Sequence, residues 1–291
     1  MTIRPRSDRP TQGSRRRRAH WGRWITLAVA VAFAVIMLAP FAFMVSTAFK
    51  PHAYVLEIPP KLIPDEPTLD NFVEAITTND FGRYFLNSVF VSTLSTIASV
   101  TLASMLAFTF ARYTFPGRRV LFGVLLFTIM VPGLVLLIPQ FVLARNLGLL
   151  NSLWGLVVVY SVLNLGFNTF LLRGFFAAMP QEIFDAAEVD GAGPWRLYRS
   201  VAIPLARPGL ATVTIFSFLA AWDEFTWAIV TLSDRELYTL PIAIRLFQRA
   251  NGTEWGLVFA ASLIALAPVL VLFVVLQRHV VSGGFQGATK G

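Results

Sequence analysis

Residues Trp24–Phe49, WITLAVAVAFAVIMLAPFAFMVSTAF, run for 26 positions without a charged side chain. A helix rises about 1.5 Å per residue, and a hydrocarbon core of ~30 Å takes about 20 apolar residues to cross. The run is therefore long enough to span a membrane. It follows the basic cluster Arg15–Arg18, as a secretory leader would. A leader's apolar core is only ~7–15 residues long, however, so this run reads as an uncleaved first span. Similar runs follow at Tyr84–Ala111, Val120–Ala144, Asn146–Leu172 and Trp255–Gln277. Another, Pro208–Ser233, is interrupted only by Asp223 and Glu224. The ~10-residue alternation of a membrane β-barrel is missing. The fold expected is an all-α membrane protein with six transmembrane helices.

Composition agrees. Of 291 residues, 56% are hydrophobic and 14% charged, well below the ~25% charged typical of soluble domains. Cysteine is absent, which excludes a disulfide framework, a thiolate metal site and a cysteine nucleophile. The three histidines, His20, His52 and His279, are scattered, so no metal site and no catalytic residue is expected. No G-x-S-x-G turn occurs either, which weighs against an intramembrane enzyme.

Lysine and arginine placement sets the orientation. With a cytoplasmic N-terminus, 17 of the 24 lysines and arginines fall on the inner side, so both termini are expected in the cytoplasm. Three regions follow: a basic tail over 1–23, a membrane domain over 24–278 and a C-terminal tail over 279–291. The net charge of +8 owes much to the first tail. Anchoring to anionic membrane lipid accounts for it, and nucleic-acid binding is not expected.

Two segments between spans are long. Residues 50–83, on the outer side, carry Pro51, Pro59, Pro60, Pro64 and Pro67. After them Leu69, Phe72, Val73 and Ile76 follow the spacing of an amphipathic helix, which predicts a helix lying on the bundle or the membrane surface. Residues 173–207, on the inner side, read RGFFAAMPQEIFDAAEVDGAGPWRLYRSVAIPLAR. Pro180 suits a helix start, Gln181–Val189 is rich in helix formers, and Gly191 permits a bend with positive φ. A second short helix is expected over Trp195–Val201. Helix, bend and helix, hung between two spans, make a docking element.

This loop resembles the EAA motif of binding-protein-dependent ABC import permeases: Glu-Ala-Ala, three residues, Gly, nine residues, Ile-x-Leu-Pro. Here Asp185, Ala186 and Ala187 are followed after three residues by Gly191, and after nine more by Val201-Ala202-Ile203-Pro204. Asp, Val and Ile replace Glu, Ile and Leu, keeping charge and apolarity. Arg173-Gly174-Phe175-Phe176, Met130-Val131-Pro132 with Pro139, Asn87-Ser88 and the tail Gly287–Gly291 are similar to the MalG-like sugar branch of that class. The resemblance implies a type I importer permease fold in a prokaryotic cytoplasmic membrane. It also implies that Asp185, Ala186, Ala187, Asp190, Gly191, Val201, Ile203 and Pro204 couple the chain to an ATPase. The implied partners are a second permease, two copies of a cytoplasmic ATPase, and an extracytoplasmic solute-binding protein or lipoprotein. ATP and magnesium belong to the ATPase. A P-loop needs G-x-x-x-x-G-K-[ST], and Lys50, Lys61 and Lys290 all lack that context.

Polar groups inside spans are costly, so they are candidate pathway residues. Asp223 and Glu224 come first, placed by continuous helix beyond the midplane. Asn87, Asn164 and Asn168 follow, the last two sharing a helix face at i and i+4. For each of these residues helix packing is the competing reading, and for Asp223 and Glu224 so are an inter-subunit contact and an earlier helix end at the membrane interface. Pro132-Gly133 and Pro139 are candidate kinks in the third span. A different class of function, an ion-gradient-driven carrier using Asp223 or Glu224, stands as the alternative. It leaves the 173–207 loop unexplained.

Overall fold

The computed structural model describes residues 12–51, 61–78, 80–249 and 252–284. Residues 1–11 of the 1–23 tail, the 52–60 part of the outer loop with His52, Pro59 and Pro60, and the Gly287–Gly291 tail lie outside the described residues.

The chain is helical almost throughout. In order come α1 (Gln12–Ala48), α2 (Asp70–Thr77), α3 (Phe81–Arg112), α4 (Arg118–Met130) and α5 (Leu137–Asn146). Then follow α6 (Leu153–Leu163), α7 (Leu165–Ala177), α8 (Gln181–Val189), α9 (Pro194–Arg196), α10 (Ile203–Leu205) and α11 (Arg207–Trp222). The last are α12 (Thr226–Thr231), α13 (Leu240–Leu246) and α14 (Trp255–Gly284). A two-residue antiparallel pair, Gln248–Arg249 with Gly252–Thr253, lies between α13 and α14.

Among the described residues, three helices are long and apolar enough to cross a membrane unaided, over Arg23–Ala48, Phe81–Arg112 and Trp255–Arg278. The expected count of six is reached only if each of three bent helix pairs is taken as one span. The breaks have local causes. α4 and α5 are bent by 99° at Val131-Pro132, where proline and the following Gly133 end the helix. Pro139 does not kink its helix: it sits in the first turn of α5, where a missing N–H costs nothing. α6 and α7 are bent by 46° at Asn164.

The fifth run departs most from expectation. It is not one helix through Asp223 and Glu224: α11 ends at Trp222 and the short α12 begins at Thr226. At 16 residues α11 rises about 24 Å, short of the ~30 Å core.

α3 is the hub. It packs against α7, α11 and α6, while α14 packs on α11, α1 and α2. The α3 face turned inward carries Ser88, Ser92, Ser95, Ser99 and Ser104, all buried, and small side chains let neighbouring helices approach closely. Ser92 and Ser95 return their hydroxyls to carbonyls one turn back, so burial leaves them satisfied.

α2 lies on the bundle, and its predicted apolar stripe is split: Phe72 packs on the core and against the Phe49 ring. Leu69, Val73 and Ile76 are exposed, whereas Asn71 and Ala75 are buried. Asn71 Nδ2 donates to the Ala48 and Lys50 carbonyls at 2.9 and 2.7 Å, satisfying acceptors at the end of α1. Hydrogen bonding at a helix end, together with the packing of Phe72 and Ala75, sets the rotation of α2.

Candidate functional site

Two regions carry the polar and conformational features singled out above. The first is the loop between α7 and α11. α8 leaves Pro180 and closes with the Asp190 and Gly191 amides bonded to the Ala186 and Glu188 carbonyls. Gly191 has φ +79, the left-handed value that favours glycine at a helix end. The chain then reverses through Gly193-Pro194 into α9, a π-helical stretch Leu197–Ala202, and α10.

The loop has its own core. Phe184, Leu197, Tyr198, Ala202 and Ala206 are buried with Phe108, Leu172 and Phe176, and Ala187, Val201 and Ile203 pack against that cluster. Asp185, Ala186, Asp190, Gly191 and Pro204 are instead exposed. Exposed apolar side chains stand beside them: Val189 is 88% and Trp195 59% accessible. The motif residues thus divide between an outward surface with a small-residue step at Ala186 and an inward set that holds the loop together. Behind α8, burial and the neighbouring Glu188 carboxylate push the Tyr113 phenol above its ordinary pKa.

The second region is a cavity of about 770 Å³ bounded by α4, α5, α6, α7, α11 and α12. That volume lies within the range of small-molecule sites. Its walls are mostly apolar, with Trp227 among them, and Thr128, Gln140, Asn164 and Glu224 supply polar groups. Two of the breaks in the bent pairs border it, at Val131 and Gly133 and at Asn164, and so does Glu224 in the gap between α11 and α12. Where a helix breaks, backbone and polar side chains turn toward the cavity instead of lipid.

The candidate pathway residues separate. Asn164, at the α6–α7 break, and Glu224 reach the cavity. Asn168 does not: it is fully buried, donating from Nδ2 to Ser99 Oγ at 2.9 Å and Ser217 Oγ at 2.8 Å, and so ties α7 to α3 and α11. Asn87 donates to the Glu236 and Tyr238 carbonyls, both at 2.9 Å, pinning the turn before α13 onto α3. Asp223 lines a smaller depression of about 310 Å³ together with Arg245, Gln248 and Trp222.

Glu224 is committed to local structure as well. Its Oε1 accepts from the Trp227 amide at 2.7 Å, and its Oε2 from the Ala228 amide at 3.1 Å and the Tyr160 hydroxyl at 2.5 Å. A carboxylate at the head of α12 satisfies amides that have no partner within the helix. Tyr160 and Trp227 escaped the sequence reading because an aromatic residue in an apolar run looks like packing. The one available signal was an acidic residue three positions before Trp227, a spacing typical of helix starts.

Comparison with known proteins agrees with this architecture. Residues 99–283 match the family described as binding-protein-dependent transport system inner membrane component. The diacetylchitobiose uptake system permease protein NgcG of Streptomyces coelicolor is 34% identical over 268 residues, 91% of this chain and 88% of the relative. The trehalose transport system permease protein SugB of Mycobacterium tuberculosis is 33% identical over 278 residues, 95% and 99% of the two chains. The sulfoquinovosyl glycerol transport system permease protein SmoH of Agrobacterium fabrum is 32% identical over 93% and 95%. In fold, the chain is similar to a subunit of a bacterial ABC transporter that imports the polysaccharide alginate. The TM-score is 0.77 at 22% identity, covering 93% of this chain and 99% of that one. The chain belongs to the binding-protein-dependent transport system inner membrane components, as a permease subunit and not an enzyme.

Proposed function

We propose that this chain is one of two permease subunits of an ATP-driven importer for a sugar or sugar derivative. In this reading the α8–α10 loop is cytoplasmic, with both termini, and docks on an ATPase subunit that binds ATP and magnesium. Two ATPase copies closing together draw the loops inward and rock the spans between inward- and outward-facing forms. A solute-binding protein or lipoprotein delivers substrate from outside. The 24–278 region is the permease domain, and the 1–23 and 279–291 segments are cytoplasmic tails.

The observation that carries this reading is the division of the loop into an exposed α8 surface and a buried aromatic underside. A mere connection between spans needs neither. Substrate class rests on the relatives, whose names specify diacetylchitobiose, trehalose and sulfoquinovosyl glycerol. The amide of Asn164, the amide of Gln140 and the hydroxyl of Thr128, set among apolar walls, suit a polyhydroxylated solute with apolar ring faces. The ion-gradient alternative draws no support from Glu224, whose carboxylate already accepts three hydrogen bonds.

Mild-detergent purification of the tagged chain from its native host tests the proposal. Recovery of a P-loop ATPase, a second permease and an extracytoplasmic binding protein is expected, and the binding protein can then be screened against the three sugars above. Recovery of the chain alone, or only with itself, would overturn it.

A further inference from the structure

The loop between α7 and α11 is fastened most firmly to a helix that is not its neighbour in sequence. Arg112 ends α3, some seventy residues before α8. Its Nη2 donates to the Phe176 and Met179 carbonyls, both at 2.8 Å, at the point where α7 gives way to the loop. Its Nη1 donates to Gln181 Oε1 at 2.9 Å, and Gln181 Nε2 donates on to Asp185 Oδ1 at 2.9 Å. The guanidinium also lies 3.9 Å from the centroid of the Phe184 ring. One planar cation therefore holds the end of α7, the first residue of α8 and its buried face, through donors fixed in a rigid fork. The second limb of the loop is tied to the same helix: Tyr198 Oη and Ser104 Oγ are 2.6 Å apart and buried.

We propose that Arg112 is the positioning residue through which displacement of α8 is passed to α3, with the Ser104–Tyr198 pair as a second joint. Asp185, the acidic residue of the motif, is then the outer end of a relay running Asp185–Gln181–Arg112 into the hub of the bundle. The inference rests on the coupling reading proposed above. If the loop docks on an ATPase, the force delivered there reaches α3 through these contacts as well as α7 and α11 through the chain.

The test uses the co-purified complex in vesicles containing ATP-regenerating medium, with the binding protein added in the loaded form isolated from host cells. Coupling between the outer and inner faces is read as the stimulation of ATP hydrolysis inside when the loaded binding protein docks outside. Arg112→Gln is expected to reduce that stimulation about tenfold, within the range typical of allosteric couplings. ATPase stoichiometry and unstimulated hydrolysis should stay within about twofold of the parent. Arg112→Lys, which keeps the charge but not the fork, should fall between them. Tyr198→Phe keeps the ring and removes only the hydroxyl, so it serves if Arg112→Gln does not fold; a loss of about threefold is expected.

Unchanged stimulation in Arg112→Gln and Tyr198→Phe would overturn the proposal. Loss of the ATPase from either variant complex would also overturn it, since the residue would then merely keep the loop folded. A parent complex that lacks an ATPase altogether would sink the coupling reading itself, and this inference with it.

Discussion

Tyr160 on α6 and Glu224, in the break after α11, are joined by a 2.5 Å hydrogen bond across the cavity wall. The same carboxylate caps α12, so two consecutive acidic residues have different environments. Glu224 holds the break in shape, and Asp223 faces another depression. Losing the cap costs about 0.5–2 kcal/mol, and stranding the Tyr160 hydroxyl adds about 1–3 kcal/mol. Glu224→Ala should therefore lower the thermal unfolding midpoint of the purified complex clearly, Glu224→Gln less so. Asp223→Asn should stay within about 0.5 kcal/mol of the parent. Equal midpoints for Glu224→Ala and Asp223→Asn would contradict the assignment.

Asn164 and Asn168 lie one turn apart with opposite expected phenotypes. Asn168→Ala removes two interhelical hydrogen bonds, worth about 0.6 kcal/mol each on average, and should destabilise the complex. Asn164→Ala should leave the midpoint alone and weaken half-saturation for the sugar in vesicle uptake. An uptake defect confined to Asn168→Ala would reverse these roles.

Gly256 on α14 stands against α2, where a Cβ would come 2.6 Å from Asn71 Oδ1. Gly256→Ala should push Asn71 off the Ala48 and Lys50 carbonyls, at a cost of about 1–3 kcal/mol for overpacking. Faster protease cleavage in the segment between α1 and α3 is the expected result. Parent-like cleavage would show that α2 is held by something else.

Gly191 tests whether the loop needs a conformation or a clearance. A Cβ there would meet nothing within 4 Å, yet φ is +79. A left-handed non-glycine residue costs roughly 1–2 kcal/mol, less for asparagine. Gly191→Val should therefore impair ATPase recovery and Gly191→Asn should not. Failure of both would point to a steric requirement of the docked partner.

What the sequence made legible follows from its strongest signals. Uncharged runs located the membrane helices, because a single charge in hydrocarbon is expensive enough to be rare. Pro180 and Gly191 announced the start of α8 and the turn after it, because their backbone restrictions are local. Breaks without proline stayed hidden. The bend at Asn164 and the end of α11 at Trp222 depend on tertiary partners, such as Tyr160 for Glu224, that lie far away in sequence. α2 was legible as a helix from its apolar spacing, but its rotation was not, because Asn71 has two carbonyls to satisfy that lie over twenty residues away in sequence. Arg112 looked like an ordinary charge at a helix end, and only the fold reveals its four contacts on the loop.

The outward surface of α8 is where the proposed docking occurs, and site-directed photocross-linking can report on it. The chain has no cysteine, so a cysteine introduced into the separately purified chain carries a benzophenone label at one defined site before the complex is reassembled. Val189→Cys, on the exposed end of α8, is predicted to yield an adduct with a P-loop ATPase in the purified complex. Val124→Cys, on the exposed face of α4, should yield none. An intact complex in which the label at position 189 never reaches the ATPase would contradict the central claim.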